Sequence, residues 1–226
     1  MTRWESFLDT FFNVGVMARY LPKILEGLVV TIELAALVVV TGIAAGLALA
    51  VVRAMGWRAV NLLIVLHVDL FRALPPLVVI VLIYFGGPAA GWSPSGFVAT
   101  WLALACVLSA FAEEIFWAGI AAVPKGQWEA ARSTGLGFAR TLGWVVLPQA
   151  VRMTIPPLTN RTIAITKGTA LGSVVAVSEI LSSAQTAVSF SLNPSPLTLG
   201  AAAYLVLFIP VVILGRWIET RFAWKR

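Results

Sequence analysis

Long runs of apolar residues, separated by short polar connections, dominate this sequence and leave few folds open to it. Sixty per cent of the 226 residues are apolar and 12% are charged, which is too little polar surface for a soluble domain of this length. Backbone groups in hydrocarbon must bond within the protein, and unbroken apolar runs do this as helices, not as alternating barrel strands. The sequence therefore predicts an all-α membrane protein. Its five spanning helices are expected near residues 24–52, 60–86, 96–121, 153–180 and 197–217.

Cations collect in every second connection between these spans. The connection after the first span has two cations and no acid, and the one after the third has four cations and one acid. The connections after the second and fourth spans carry no charge. By the positive-inside rule the charged connections face the cytoplasm, so the N-terminus lies outside and the C-terminus inside. Five spans explain this asymmetry, and we expect a multi-pass membrane protein.

Three regions are expected along the chain. Residues 1–23 carry an aromatic stripe at helical spacing, which suits a helix in the membrane interface, although a partly ordered tail fits as well. Residues 24–217 form the membrane domain, and residues 218–226 form a cytoplasmic tail.

The net charge of +6 lies between apolar runs instead of on one soluble face, so no nucleic-acid partner is expected. The single cysteine, Cys106, cannot form an intrachain disulfide.

The longest polar segment, about residues 124–148, lies between the third and fourth predicted spans. Pro124 can open a helix, and residues 127–133 read as helical. Gly135 and Gly137 are expected to end that helix in the left-handed cap conformation, and a second helical stretch leads from Phe138 to the membrane. Composition alone leaves two interpretations of this segment: an ordinary amphipathic loop, or a surface that docks on another protein.

A resemblance favours docking. The segment reads Glu-Ala-Ala, three residues, Gly, nine residues, an aliphatic residue, one residue, Leu-Pro. This spacing resembles the cytoplasmic EAA loop of permease subunits in ABC importers. The rest of the chain is similar to the polar amino-acid uptake family of those permeases. The similar stretches are Glu26–Ala35, Asp69–Leu77, Ile83–Gly86, Glu114–Phe116, Val123–Arg132, Leu147–Arg152 and Pro156–Asn160.

The resemblance implies a type I ABC-importer permease fold in the bacterial cytoplasmic (inner) membrane and a non-catalytic role in carrying a polar amino acid by alternating access. It implies three kinds of protein partner: a dimer of ATPase subunits, a second permease that is identical or homologous, and an extracytoplasmic substrate-binding protein. ATP and Mg are expected on the partner ATPase, with no cofactor in this chain. The residues expected to couple to the ATPase are Glu129, Ala130, Ala131, Gly135, Leu147 and Pro148.

The sequence contains no phosphate-cradling loop for ATP and no nucleophile with a histidine partner, so the chain is not expected to be an enzyme. Three departures from the family pattern leave the substrate and the choice of homodimer or heterodimer open. They lie at Ala73–Leu74, Trp117 and Lys167–Ala170. The alternative function is a stand-alone proton-coupled secondary transporter or channel, and a membrane-embedded enzyme ranks last.

Charged side chains at membrane depth are costly and should face a cavity, a partner subunit or each other. Asp69 and Arg72 share a helical face and are predicted to pair. A zwitterionic substrate needs an anionic and a cationic partner, although such groups also hold helices together. Four positions match family motifs and are the candidate substrate pathway: Arg72, Glu114, Asn160 and Lys167.

Two proline pairs, Pro75–Pro76 and Pro156–Pro157, are expected to break helices or mark turns into the membrane.

Overall fold

A computed structural model describes residues 2–222 of the chain, which form helices and contain no strand. The predicted all-α class is therefore confirmed for this part of the chain. Residue 1 of the expected N-terminal segment and residues 223–226 of the expected tail lie outside the described residues. The α-helices are α1 (Arg3–Phe12), α2 (Val14–Ala54), α3 (Arg58–Ala73), α4 (Pro76–Gly86), α5 (Gly96–Ala122), α6 (Lys125–Ser133), α7 (Phe138–Thr141), α8 (Leu147–Thr166), α9 (Ile180–Ser191) and α10 (Ser195–Phe222).

Three continuous stretches are long and apolar enough to cross a membrane: Arg3–Ala54, α5 and Ser195–Arg221. Two further pairs of segments pass the same test together but are bent. Arg58–Ala73 meets Pro76–Ala90 at 105°, and Phe138–Val175 meets Ile180–Ser191 at 41°. Counting each bent pair as one span gives five, the number that the apolar runs predict.

The helix that contains the first predicted span begins before residue 24, at Val14. The Asn13 side chain accepts a hydrogen bond from the backbone N–H of Val16 at 3.0 Å, which caps the helix at its N-terminus. Before it, α1 exposes Trp4, Phe7 and other aromatic side chains. Its position in the membrane interface stays a prediction.

The second span is not one helix, as expected over 60–86, because the chain breaks between α3 and α4. Pro75 lacks a backbone N–H and disfavours the helical conformation at the residue before it. Leu74 accordingly has ψ 134°. The next helix starts at Pro76, where a missing N–H costs nothing. The second pair behaves differently, since Pro156 and Pro157 both lie inside α8 and do not end it.

The fourth span also differs from the predicted helix over 153–180. The α-helix α8 ends at Thr166 and continues as nine residues of 3₁₀-helix, Lys167–Val175. This segment is capped by Ala176, a non-glycine residue with φ 60°. Runs of 3₁₀-helix this long are uncommon and often mark a hinge or strain.

The described residues form two compact units. Unit 1 contains residues 2–38, 76–104 and 166–212, and unit 2 contains residues 39–75, 105–165 and 213–222. The core of unit 1 includes Ile24 from α2 with Ile180 and Ala184 from α9. The core of unit 2 packs α2, α5 and the segment before α8 together. Its buried members are Ala50, Ala112, Phe116, Ile120, Val123, Leu142, Val146 and Ala150.

Candidate coupling elbow and charged cluster

The polar segment after α5 folds in unit 2 as a helix followed by a sharp glycine cap, and we call residues 124–148 the elbow. The backbone N–H of Gly135 donates to the carbonyl of Arg132 at 3.0 Å, and that of Leu136 donates to the carbonyl of Ala131 at 3.4 Å. These two bonds form the Schellman motif that ends many helices at a left-handed glycine. Gly135 has φ 87°, as this cap requires. Gly137 is instead extended, with φ −67° and ψ 164°, so only the first glycine acts as predicted.

One face of α6 packs inward and the other is exposed. Ala131 is buried, and Trp128 stacks on Phe138 with ring centroids 5.6 Å apart. Glu129 and Ala130 lie on the exposed side. Of the two alanines expected to couple to the ATPase, only Ala130 faces outward, because Ala131 lies three residues after Trp128 on the inward face.

The elbow returns toward α8 through a π-helical turn, Leu142–Val146. Pro148 explains this turn, since a proline has no N–H to donate and its ring clashes with the carbonyl four residues earlier. Widening the preceding turn relieves that clash, and the N–H of Leu147 donates to the carbonyl of Leu142 in the wide π-type pattern. Leu147 packs on the core of unit 2, while Pro148 is exposed.

Gln149 ties the start of α8 to α6. Its side-chain amide donates to the Val145 carbonyl at 2.7 Å and to the Gln127 side chain at 3.4 Å. Beside this link lies an open cavity of about 320 Å³, lined by Trp144, Val145, Pro148, Gln149 and Arg152. The elbow is therefore a packed element that exposes Glu129 and lies beside a cavity.

Arg72 pairs with Glu114, not with Asp69. The Arg72 guanidinium lies 2.6 Å from the Glu114 carboxylate, and the two side chains are 35% and 46% exposed. The predicted pair within α3 is therefore wrong: Arg72 reaches α5, where it also lies over the Phe111 ring at 5.5 Å. Asp69 is exposed and has no ion-pair partner among residues 2–222.

Phe111 lies between two cations, a feature that spacing did not predict. The Arg161 guanidinium from α8 lies 3.9 Å from the centre of the Phe111 ring, close enough for a cation–π interaction. Arg72, Glu114, Phe111 and Arg161 thus form a partly exposed charged cluster in unit 2. Nothing in the sequence except its apolar character distinguishes Phe111, so its place between the two cations could not be predicted.

A second ion pair in unit 2 is buried. Glu113 is fully buried, and both of its oxygens accept from the Arg53 guanidinium at 3.1 and 3.2 Å. Arg53 also lies over the Trp117 ring at 4.7 Å. From the sequence, Arg53 is only one cation in a short connection. Its partner lies 60 positions away, too far for a spacing argument.

The other two candidate pathway residues are exposed and occupy different units. Asn160 lies on α8 in unit 2, where its side-chain amide donates to the Pro156 carbonyl at 3.3 Å. Lys167 begins the 3₁₀-helix in unit 1. The structure therefore brings Arg72 and Glu114 into contact, while Lys167 makes no ion pair within residues 2–222 and the Asn160 amide bonds within its own helix.

Glu179 in unit 1 is a buried carboxylate to which the sequence assigned no role. It caps α9, accepting from the backbone N–H groups of Leu181 and Ser182 at 2.9 and 2.7 Å. The Tyr204 hydroxyl on α10 donates to the same carboxylate. Glu179 therefore joins the start of α9 to α10. In the sequence, the only indication of this role is an acidic residue in a position to cap a helix, next to a long apolar run.

Comparison with known proteins places this geometry in a family. A family profile described as "Binding-protein-dependent transport system inner membrane component" matches residues 42–224. A Bacillus subtilis (strain 168) protein named "Probable glutamine ABC transporter permease protein GlnM" is 32% identical over 210 residues, covering 92% of this chain and 97% of that protein. The "L-cystine transport system permease protein TcyB" of the same strain is 35% identical over 170 residues, with coverages of 75% and 73%.

A solved structure agrees. A chain described as "Crystal structure of an amino acid ABC transporter with histidines" has a TM-score of 0.82 and 33% sequence identity, covering 91% of this chain and 96% of that one. The type I importer permease fold implied by the resemblance is thereby confirmed. The chain belongs to the family of inner membrane components of binding-protein-dependent transport systems, and it is a permease subunit of an ABC importer.

Proposed function

We propose that this subunit carries a polar amino acid inward across the bacterial inner membrane, powered by ATP that a partner ATPase hydrolyses. The proposal combines the family membership with the names of the relatives, which include a glutamine permease and an L-cystine permease. The partners are two ATPase subunits that hold ATP and Mg, a second permease and an extracytoplasmic substrate-binding protein. The stand-alone secondary transporter gains no support from any of these relatives.

The elbow is the surface that meets the ATPase in this proposal. The supporting observation is the exposed Glu129–Ala130 edge of α6, which the glycine cap and the inward Trp128 hold in a fixed position. A helix that ends in a defined cap and packs on the core can transmit a force from the ATPase without unwinding. Residues 124–148 would then move with the ATPase pair, and Leu147 and Pro148 would carry that motion into α8.

Alternating access in this account follows from motion of the elbow. Closure of the ATPase pair on nucleotide presses the two elbows of the permease dimer together and opens the pathway toward the binding protein. The N-terminus then lies outside and the tail of the chain inside. Residues 2–23 form the interfacial segment, residues 24–217 the membrane domain and residues 218–222 the described part of the tail.

The charged cluster supplies the substrate pathway in this proposal. Arg72 and Glu114 offer one cation and one anion that are both partly exposed. An amino acid carries the complementary pair, so its carboxylate suits Arg72 and its ammonium suits Glu114. Asn160 of unit 2 and Lys167 of unit 1 stay candidate pathway residues, the first as an exposed amide and the second as an exposed cation.

The decisive experiment separates ATP hydrolysis from uptake. Glu129→Gln removes the charge of the exposed edge without changing its size. In proteoliposomes holding the complete transporter, we expect ATP-driven uptake of the amino acid to fall at least about tenfold, which corresponds to a loss of about 1.4 kcal/mol of coupling between the ATPase and the permease. ATP hydrolysis should fall less, because the ATPase active sites are untouched.

The matched control is Glu26→Gln. Glu26 is an exposed glutamate on α2 that pairs with Lys23 at 3.0 Å, outside the elbow. Its loss should leave uptake and its ratio to ATP hydrolysis unchanged. If Glu129→Gln transports at the wild-type rate, the elbow does not couple to the ATPase through this edge.

A further inference from the structure

The charged cluster of unit 2 contains more positive than negative charge. Arg72 and Glu114 neutralise each other at 2.6 Å. Arg161 lies over the Phe111 ring and forms no ion pair with any carboxylate of residues 2–222. One cation of the cluster is therefore left without a counter-charge in the described chain.

The acids that neighbour the cluster along the chain do not supply this counter-charge. Glu113 is fully buried and accepts from Arg53 with both of its oxygens. Asp69 lies one helical turn before Arg72 and forms no ion pair with either arginine of the cluster. A ligand from outside the chain can therefore balance the excess positive charge.

The contact with the ring positions the Arg161 guanidinium without neutralising it. The guanidinium carbon lies 3.9 Å from the centre of the Phe111 ring. A ring attracts a cation through its quadrupole but has no net charge of its own. Arg161 is exposed, and a guanidinium presents its N–H donors in a planar fork that fits a carboxylate. Arg161 is therefore held in place as a carboxylate-binding group.

Both guanidinium groups lie beside the same ring, so one small molecule can contact both. Arg72 lies 5.5 Å from the centre of the Phe111 ring, and Arg161 lies 3.9 Å from it. The two guanidinium carbons can be no farther apart than these distances combined. Aspartate and glutamate carry their two carboxylates on a short flexible chain. Such a molecule matches the two cations and leaves its ammonium group for Glu114.

Other polar amino acids fit these charges less well. A neutral side chain, such as that of glutamine, leaves Arg161 without a counter-charge. A lysine or arginine side chain brings a further cation close to two others and is repelled. The cluster thus combines an attraction for one class of side chain with a repulsion of another, which is how binding sites achieve specificity.

We propose that the charged cluster selects an acidic amino acid. Arg161 binds the side-chain carboxylate, while Arg72 binds the α-carboxylate and Glu114 binds the ammonium group. Arg161 is then a specificity-determining residue of the pathway. The inference rests on the proposed function, because it requires the cluster to lie in the substrate pathway.

The test compares L-glutamate with L-glutamine, which differ in charge and hardly in shape. The purified complex of the permease pair with its ATPase pair is studied in lipid nanodiscs without the substrate-binding protein, so that only the permease can discriminate. Equilibrium dialysis measures the binding of each radiolabelled amino acid. We expect L-glutamate to bind at least about tenfold more tightly, the difference that one added charge-assisted contact makes.

Two variants at position 161 separate charge from position. Arg161→Gln removes the charge and should weaken L-glutamate binding about tenfold. L-glutamine binding should be unchanged in this variant, which also shows that the protein is folded. Arg161→Lys keeps the charge and should retain most of the preference. The control is Arg58→Gln, an exposed arginine at the start of α3 and outside the cluster, which should bind both amino acids as the wild type does.

Arg72→Gln distinguishes failure of the inference from failure of the proposed function. It should weaken both amino acids alike, because both carry an α-carboxylate. Equal binding of the two amino acids to the wild type, weakened by Arg72→Gln, would overturn the acidic specificity and leave the pathway intact. A preference for L-glutamate that survives in Arg161→Gln would overturn the role of Arg161. Binding of neither amino acid to the wild type would overturn the pathway and the specificity together.

Discussion

At the scale of single residues, the two ion pairs of unit 2 have different surroundings. Glu113 is fully buried against the half-buried Arg53, so a passing substrate does not reach its carboxylate. Arg72 and Glu114 are about one third and one half exposed, so a ligand can reach both groups. Burial therefore separates a pair that holds helices together from a pair that can bind and release a substrate.

A charge reversal tests the role of the exposed pair. In the double variant Arg72→Glu with Glu114→Arg, the ion pair can form again with its ends exchanged. If the pair only joins α3 to α5, the double variant should restore uptake that each single variant loses. We expect no restoration, because the substrate would meet each charge in the wrong place. The measurement is ATP-driven uptake, with the Lys23–Glu26 pair reversed in the same way as control.

The buried pair should matter for stability. Glu113→Gln leaves the half-buried Arg53 guanidinium without its counter-charge, which costs up to about 3 kcal/mol. Glu114→Gln removes a partly exposed pair and should cost less than about 1 kcal/mol. The check is the thermal unfolding midpoint of the detergent-solubilised complex. Equal shifts for the two variants would contradict the assignment of Glu113 to structure.

Sequence spacing is informative at this scale only for neighbours on one helix. The family resemblance supplied Arg72 and Glu114 as candidate pathway residues, whereas spacing paired Arg72 with Asp69. The actual partner lies 42 residues further along the chain on α5. Arg53 and Phe111 were missed for the same reason, because their partners are set by how helices pack and not by periodicity.

At the scale of elements, the glycine cap of α6 links local sequence to the proposed coupling. Gly135 adopts φ 87°, where a residue with a Cβ is strained by about 1–2 kcal/mol. Gly126 lies within the same helix and has open space around it. A side chain at Gly135 would therefore strain the backbone, whereas a side chain at Gly126 would be accommodated.

Alanine at each of these glycines gives a matched pair of variants. Gly135→Ala should strain the cap, loosen the connection from α6 to α7 and lower the ratio of uptake to ATP hydrolysis. Gly126→Ala should leave that ratio unchanged and favour the helix by about 1 kcal/mol. Both are measured in proteoliposomes with the complete transporter. A loss of coupling in Gly126→Ala that matches Gly135→Ala would show that the cap is not the relevant feature.

Element boundaries were predictable where a local residue determines them. Pro75 breaks the second span and Gly135 ends α6, as their backbone preferences require. Pro156 and Pro157 remain within α8 instead, so a proline pair alone does not decide whether a membrane helix breaks. The nine residues of 3₁₀-helix from Lys167 carry no distinctive pattern in the sequence, and only the folded chain reveals them.

At the scale of the whole molecule, hydropathy and charge are more informative than local propensity. The apolar runs predict five crossings, each as a helix that satisfies its own hydrogen bonds, and the structure gives three continuous spans, or five when each bent pair counts as one. The bends of 105° and 41° did not follow from hydropathy, which reports length and not direction. The alternation of charged and uncharged connections adds the expected orientation, with the elbow inside.

The orientation can be tested by chemical labelling of two connections. In a Cys106→Ala background, Ala130→Cys places a thiol on the exposed edge of α6, and Ala90→Cys places one in the uncharged connection after α4. A membrane-impermeant thiol reagent should label position 90 from outside intact cells and position 130 only in inside-out vesicles. Because these positions lie on either side of α5, an odd number of crossings separates them. Labelling of position 130 from outside would put the elbow beyond the reach of any ATPase and refute ATP-driven coupling through it. Labelling of both positions from the same side would show instead that α5 does not cross the membrane.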